Sequence, residues 1–263
     1  MEILVTGSSG YVGSHLKKSL IDDGHDVVEW DLKIGKDIKD ITPYDIRSTD
    51  AVVHLAAFAD VKKSMKEPDV WYQNNVDYST KIFNYATPWN VPVIYASSSC
   101  AKVWWKSAYG MSKKAMESVA IADGKHIGLR FTNVFGETGC RESMLIPKMI
   151  SKTLEYKTSM TRDFIHVLDV VDAIKLFLYR KSFREEHTQH VYDVCSGVGR
   201  KVNEIVDKYY YKDVPLTEGD PIENDDNTGN PTDLMNLGWM PKRDLDKYLE
   251  EKLNGDTKFE SNI

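Results

Sequence analysis

A chain of 263 residues with 41% hydrophobic and 28% charged positions has the make-up of one large folded domain, or of a domain with a smaller companion. Its formal net charge of −6 speaks against a nucleic-acid-binding surface, which relies on a basic face. The three cysteines are scattered with no CxxC pair, which argues against a structural metal and suits a reducing compartment, and no apolar run nears the ~20 residues of a membrane span.

The opening MEILVTG has no basic and apolar leader, so a cytoplasmic location is expected. Ile3–Thr6 reads as a first strand, and VTGSSGYVGSHL follows, with Gly7, Gly10 and Gly13 between that strand and a helix over His15–Asp23. The first glycine permits a tight turn, the second lets a pyrophosphate approach the backbone, and the third lets helix and strand pack closely. The free N–H groups and partial positive charge of the helix N-terminus then favour phosphates, which makes this a dinucleotide-binding pattern. A second strand, Asp26–Trp30, ends at Asp31. An acidic residue about 20 positions beyond the glycines accepts hydrogen bonds from the adenosine ribose and repels a 2′-phosphate, so NAD is expected over NADP.

Further strands are expected at Ala51–Leu55, Pro92–Ser97, His126–Phe131 and His190–Cys195, and further helices at Val70–Thr87, Ser112–Ala122 and Val167–Tyr179. Strands alternating with helices imply parallel crossovers, and unbroken apolar runs such as AVVHLAA imply a sheet covered on both faces. Asn133–Thr161 reads as loop and helix. The region past Ser196 reads as short helices and turns, with a polar loop at Glu218–Asp233. The expectation is an α/β, Rossmann-like, doubly wound parallel sheet with a small discontinuous C-terminal substrate lobe. The larger part would be 1–132 with 164–195, and the lobe 133–163 with 196–263.

The stretch YASSSCAKVWWKSAYGMSKK sets serines at a strand end before Tyr109 and Lys113, which share one face of a helix starting near Ala108. Together with TGSSGYVG and AVVHLAA, this Tyr-x-x-x-Lys resembles the extended short-chain dehydrogenase/reductase family, and within it the nucleotide-sugar epimerases and dehydratases. LRFTNVFG, RDFIHVLDVVDAI, VYDVCSG and LGWMPK resemble later family blocks in the same order.

The resemblance implies bound NAD and a nucleoside-diphosphate sugar substrate. It places Gly7, Gly10, Tyr11, Val12 and Gly13 at the phosphates, and Asp31, Asp37 and Ile38 around the adenosine. Leu55, Ala56, Ala57 and Asn75 are placed along the rest of the cofactor. Tyr109 becomes the base for a sugar hydroxyl, Lys113 the group that holds the nicotinamide ribose and tunes Tyr109, and Ser98 the hydroxyl that orients the same oxygen. Lowering a phenol from its ordinary value of about 10 to about 7 takes roughly 4 kcal/mol of differential stabilisation, expected here from the ammonium and the nicotinamide charge. Ser99, Asn133 and Arg162 fall where the family contacts its substrate. His54 and His166 read as packing residues. A homodimer built on the Val70–Thr87 and Ser112–Ala122 helices is also implied.

Departures narrow the reading. Ser98 and Tyr109 lie only 11 positions apart, and no Gly-Asp-Gly turn precedes RDF, so the substrate lobe is trimmed. Dehydratases of the family carry an Asp-Glu pair where this chain has Ser99 and Cys100. SSC resembles the Ser-x-Cys of the GDP-fucose synthases, but the histidine of that epimerase-reductase is replaced by Met144, and Asp31 opposes its NADP. The sequence-based reading is therefore epimerisation at C4 through a 4-keto intermediate. The alternatives are an epimerase-reductase or dehydratase of the same family. In another class stands a non-catalytic dinucleotide sensor or scaffold, against which Tyr109 and Lys113 argue.

Overall fold

The computed structural model describes residues 1–123, 126–180 and 190–254, so the end of the expected lobe at 255–263 lies outside the described residues. In chain order the strands are β1 (Glu2–Thr6), β2 (Asp26–Trp30), β3 (Ala51–His54), β4 (Val93–Ser98), β5 (Ile127–Phe131), β6 (Asn133–Phe135), β7 (Lys157–Thr158), β8 (Thr161–His166), β9 (Val191–Val194), β10 (Gly199–Lys201) and β11 (Leu216–Thr217). Six of them form one sheet in the order β2-β1-β3-β4-β5-β9, with every pair parallel. The chain leaves β1 toward β2 on one side and then crosses to β3 on the other. Between the carboxyl ends of β1 and β3, connections therefore part and leave a crevice.

Alternation along the strands divides the core. Ile3 and Val5 face one layer with Leu16 and Leu20 of the helix Tyr11–Asp22, and with Ile174 and Phe177 of the helix Val167–Tyr179. Leu4 and Val52 face the other, with Phe83 of Tyr78–Ala86 and Met116 of Ala108–Asp123. Both faces are thus covered, as the unbroken apolar runs require.

Two expectations need correction. The helix expected over Val70–Thr87 is broken into Pro68–Tyr72, a π-helical turn at Gln73–Asp77, and Tyr78–Ala86. A π turn leaves the apolar spacing nearly helical, so periodicity does not reveal it. The segments read as loops and short helices also contain strands: β6 and β10 flank β8, which follows the first segment, in a three-stranded sheet, and β11 pairs with β7. Most are two or three residues long, too short to show alternation. They lie beside a separate apolar cluster that includes Phe135, Ile146, Met149, Phe164, Ile205 and Leu249.

The helix Ala108–Asp123 is fixed to the sheet by charge. Glu117 is fully buried, and its Oε1 and Oε2 each accept a 2.6 Å hydrogen bond from Nε and Nη2 of Arg130 on β5. Ser97 on β4 donates to the same Oε1 at 2.6 Å. Removing one partner of such a pair strands the other charge in a poor solvent. Glu117→Leu should therefore cost about 3–5 kcal/mol in urea unfolding, while Glu117→Leu with Arg130→Met should recover most of that loss.

Candidate active site

The glycine turn is built by contacts at the end of β1. Gly7 has φ +70°, and a Cβ there would sit 2.7 Å from the Ala56 nitrogen. A Cβ on Gly13 would meet the Gly7 carbonyl at 2.0 Å, so helix and turn can touch only without it. Gly10 is the N-cap of Tyr11–Asp22, and no side chain caps that terminus. The first-turn N–H groups of Tyr11 and Val12 thus have no side-chain cap among the described residues. Nearby, the buried Ser8 hydroxyl has no hydrogen-bond partner among the described residues. The Tyr11 hydroxyl donates to the Gly136 carbonyl at 2.5 Å, tying the loop after β6 to the glycine turn.

Around the expected adenosine, Asp31 accepts from the Ser9 N–H at 3.0 Å and the Lys33 N–H at 2.8 Å. Asp37 accepts from the Lys39 N–H at 3.1 Å, while the Ile38 side chain is buried with Trp30 and Ile41. Leu55, Ala56 and Ala57 are half-buried along the other wall, and Ala56 N–H donates to the Thr6 hydroxyl at 3.2 Å. A bare helix N-terminus, a turn that tolerates no Cβ and an acidic residue at the end of β2 fit a dinucleotide.

The Tyr–Lys pair stands at the carboxyl end of β4. Ser107 caps its helix by accepting from the Gly110 N–H at 3.1 Å, and the Tyr109 N–H donates to the Ser64 hydroxyl at 3.0 Å. The phenol is nearly enclosed. Burial pushes its pKa up, the neighbouring Cys100 thiol adds to this, and a hydrogen bond with Ser98 opposes it. Lys113 is equally buried and gives one N–H to the Ala96 carbonyl at 2.8 Å. Burial lowers its pKa to about 7, against the pull of the Glu117 carboxylate. Its Nζ is 6.0 Å from the centre of the Tyr109 ring. The expected electrostatics thus differ from the sequence picture: desolvation by the surrounding protein favours the neutral form of both groups. Ser98 and Ser99 are buried at the strand end, where the Ser98 hydroxyl also accepts from the Cys100 N–H at 3.2 Å. Trp104 and Trp105 are exposed and meet edge to face.

A chain of buried polar groups joins the glycine turn to this helix. His54 Nδ1 lies 2.7 Å from the Thr6 hydroxyl and its Nε2 2.8 Å from that of Ser79. Ser79 donates to the Asn75 carbonyl at 2.8 Å, the Asn75 amide donates to the Ser112 hydroxyl at 3.1 Å, and Ser112 donates to the Tyr109 carbonyl at 2.8 Å. Asn75 also grips Phe58 through its N–H and carbonyl, both at 2.9 Å. Fully buried, Asn75 spends its side chain on Phe58 and Ser112 and so positions Phe58 and the helix Ala108–Asp123. Burial lowers the His54 pKa to about 3. His166 caps the helix Val167–Tyr179 and packs on Phe135.

The expected substrate residues lie farther out. Arg162 gives Nη1 to the Asn224 carbonyl at 2.7 Å and Nη2 to the Glu223 carboxylate at 2.7 Å. Asn133 accepts from the Asn227 amide at 2.6 Å. Lys106 bonds the Glu223 carbonyl at 2.8 Å, and Lys62 pairs with Asp220 at 3.2 Å, so the polar loop is clamped over this end by three cations. Sequence reasoning missed Glu117, Arg130 and Glu223. Glu117 was within reach, since it follows Lys113 by one helical turn on the same face.

A glycine turn at the switch point, with a buried Tyr–Lys pair two strands away at the carboxyl end of β4, defines an NAD-dependent enzyme of the short-chain dehydrogenase/reductase type. Residues 3–102 and 104–195 match the NAD dependent epimerase/dehydratase family, and the chain belongs to it. A UDP-glucose 4-epimerase of Lactobacillus helveticus is 28% identical, with 93% of each chain covered. The UDP-N-acetylglucosamine 4-epimerase of Methanobrevibacter ruminantium M1, solved with UDP-N-acetylmuramic acid, is 25% identical, with 98% of each chain covered and a TM-score of 0.83. The UDP-glucose 4-epimerase of Thermus thermophilus, solved with NAD, shares the fold at 22% identity and a TM-score of 0.79, with 100% of each chain covered.

Lys113 generates a pH test. Its folded pKa of about 7 lies below the unfolded reference of 10.5, so between these values the unfolded chain holds more protons at this site. Folding stability from Lys113 must then rise with pH across that window. The cofactor-free protein should gain on Lys113→Met by up to about 1.4 kcal/mol per pH unit, as measured by denaturant unfolding from pH 7 to 10.

Proposed function

We propose that the chain epimerises a nucleoside-diphosphate sugar at C4 through a 4-keto intermediate, with NAD regenerated in each cycle. The observation that carries this is the enclosed Tyr109 phenol at the Ser98 end of β4, with the Lys113 Nζ 6.0 Å from its ring centre. Gly7, Gly10, Gly13 and the Tyr11–Val12 N–H groups would hold the pyrophosphate, and Asp31 the adenosine ribose. Bound there, NAD supplies the acceptor and donor of hydride and the positive ring charge that the protein interior lacks.

The protein's own part is proton handling and positioning. As the phenolate, which the positive charge of a bound nicotinamide would favour, Tyr109 Oη takes the proton of the sugar hydroxyl as the carbonyl forms and returns it after the keto sugar has turned over. The Ser98 hydroxyl orients that oxygen, and Lys113 secures the ribose below it. Enclosure by the protein excludes water from the keto stage. Loss of water from the sugar would need a further acid–base pair after Ser98, and Ser99 with the Cys100 thiol does not provide one. Burial pushes that thiol further from ionisation.

The lobe formed by 133–163 with 196–263 would take the sugar nucleotide, with Arg162 as the cation for its diphosphate. That requires the diphosphate to replace the Glu223 carboxylate on the guanidinium. Among the described residues no helix is long and apolar enough to cross a membrane, and we place the protein in the cytoplasm. We also assign a homodimer whose interface uses the helices between Pro68 and Ala86 and the helix Ala108–Asp123. Light scattering at micromolar concentration should give the dimer mass, and a monomer would refute it.

The mechanism is tested by substitution and chromatography of UDP-, dTDP- and GDP-hexoses. Tyr109→Phe should lower turnover by about 10²–10⁴ while NAD affinity stays within a few-fold. Ser98→Ala should lose less, and Lys113→Met should weaken both NAD binding and rate. Wild-type turnover by Tyr109→Phe would overturn the proton-transfer role.

A further inference from the structure

The rim of the glycine turn carries a cation that NAD does not call for. Asp31 accepts from the N–H of Ser9 at 3.0 Å, and two residues on, Lys33 Nζ donates to the carbonyl of the same Ser9 at 3.1 Å. A carboxylate and an ammonium therefore grip one residue from its two sides. The 3₁₀ turn Leu32–Ile34 holds them together: Asp31 caps it through the Lys33 N–H, and Gly35 closes it at φ +76°. Lys33 is exposed, and among the described residues its ammonium pairs with no carboxylate. An exposed lysine–carbonyl bond is weak and readily exchanged for a doubly charged phosphate.

We propose that Lys33 is a latent 2′-phosphate-binding residue, and that the Asp31 carboxylate alone keeps it silent. This rests on the cofactor reading of the glycine turn. A 2′-phosphate at the adenosine ribose would meet repulsion from Asp31 and attraction from Lys33 at the same edge. The preference for NAD is then a contest between two neighbouring charges on one short turn. Neutralising the carboxylate without changing its shape should expose the cation.

The test is calorimetric titration of NAD and NADP into the cofactor-free wild type, Asp31→Asn, and Asp31→Asn combined with Lys33→Met. Wild type should bind NAD and discriminate against NADP. Asp31→Asn should tighten NADP binding by about 10²-fold, the worth of removing a like charge ~5 Å away at an effective dielectric near 20. Adding Lys33→Met should reverse about tenfold or more of that gain while NAD affinity follows the single variant. No gain of NADP affinity in Asp31→Asn, with NAD still bound, overturns the proposal, and so does a gain that survives Lys33→Met. If the wild type binds neither dinucleotide, the cofactor reading falls, and this inference falls with it.

Discussion

The site depends on the buried bond between Glu117 and Arg130. Tyr109 and Lys113 occupy the first turns of a helix whose position decides where the phenol stands over the sheet. Apolar packing through Met116 and Ala120 holds that helix close but permits sliding, because dispersion contacts have little direction. The bidentate contact to β5, with the Ser97 hydroxyl from β4, has direction and fixes both rotation and height. Both anchoring strands are parallel neighbours in register, with Ser97 opposite Arg130, so one carboxylate reads the position of two strands at once. Glu117 also supplies the negative charge that partly offsets the desolvation of Lys113.

Desolvation is the other organising term. Tyr109 and Lys113 are enclosed together, and enclosure drives their pKa values apart, the phenol upward and the ammonium downward. Such a pair gains its working charge from whatever positive group is brought in beside it, so catalysis and cofactor occupancy are joined through the same low dielectric. At the outer end the balance differs. Arg162, Lys106 and Lys62 are all engaged by one loop, through Glu223, Asn224 and Asp220. Entry of an anion there is an exchange of ion pairs rather than the filling of an empty cationic patch.

Much of this was legible in the chain. Unbroken apolar runs located the strands of the main sheet to within a residue or two, because burial on both faces leaves no alternation to confuse. Gly7 and Gly13 announced themselves since their neighbours exclude a Cβ, and the spacing of Tyr109 from Lys113 is a local helical fact. The π turn at Gln73–Asp77 was not legible, because one added residue barely disturbs the apolar spacing. Nor were β6, β7, β10 and β11, each two or three residues long. The partners of Glu117 and Arg162 are tertiary: they lie 13 and 61 positions away, and nothing local points to them.

The buried polar chain behind the site has one further consequence. Ser79 spends its only hydrogen on the Asn75 carbonyl, so it must receive one from His54 Nε2. His54 Nδ1 is then the acceptor, and the Thr6 hydroxyl gives its hydrogen there while receiving that of Ala56. Asn75 is oriented by the Phe58 N–H and carbonyl, which fixes its amide toward Ser112. Every hydrogen in the series thus has one allowed direction, and no link can be reversed without reversing its neighbours. The series is a rigid strut rather than a wire: it carries alignment from the glycine turn to the Tyr109 backbone, but it cannot ferry a proton between them.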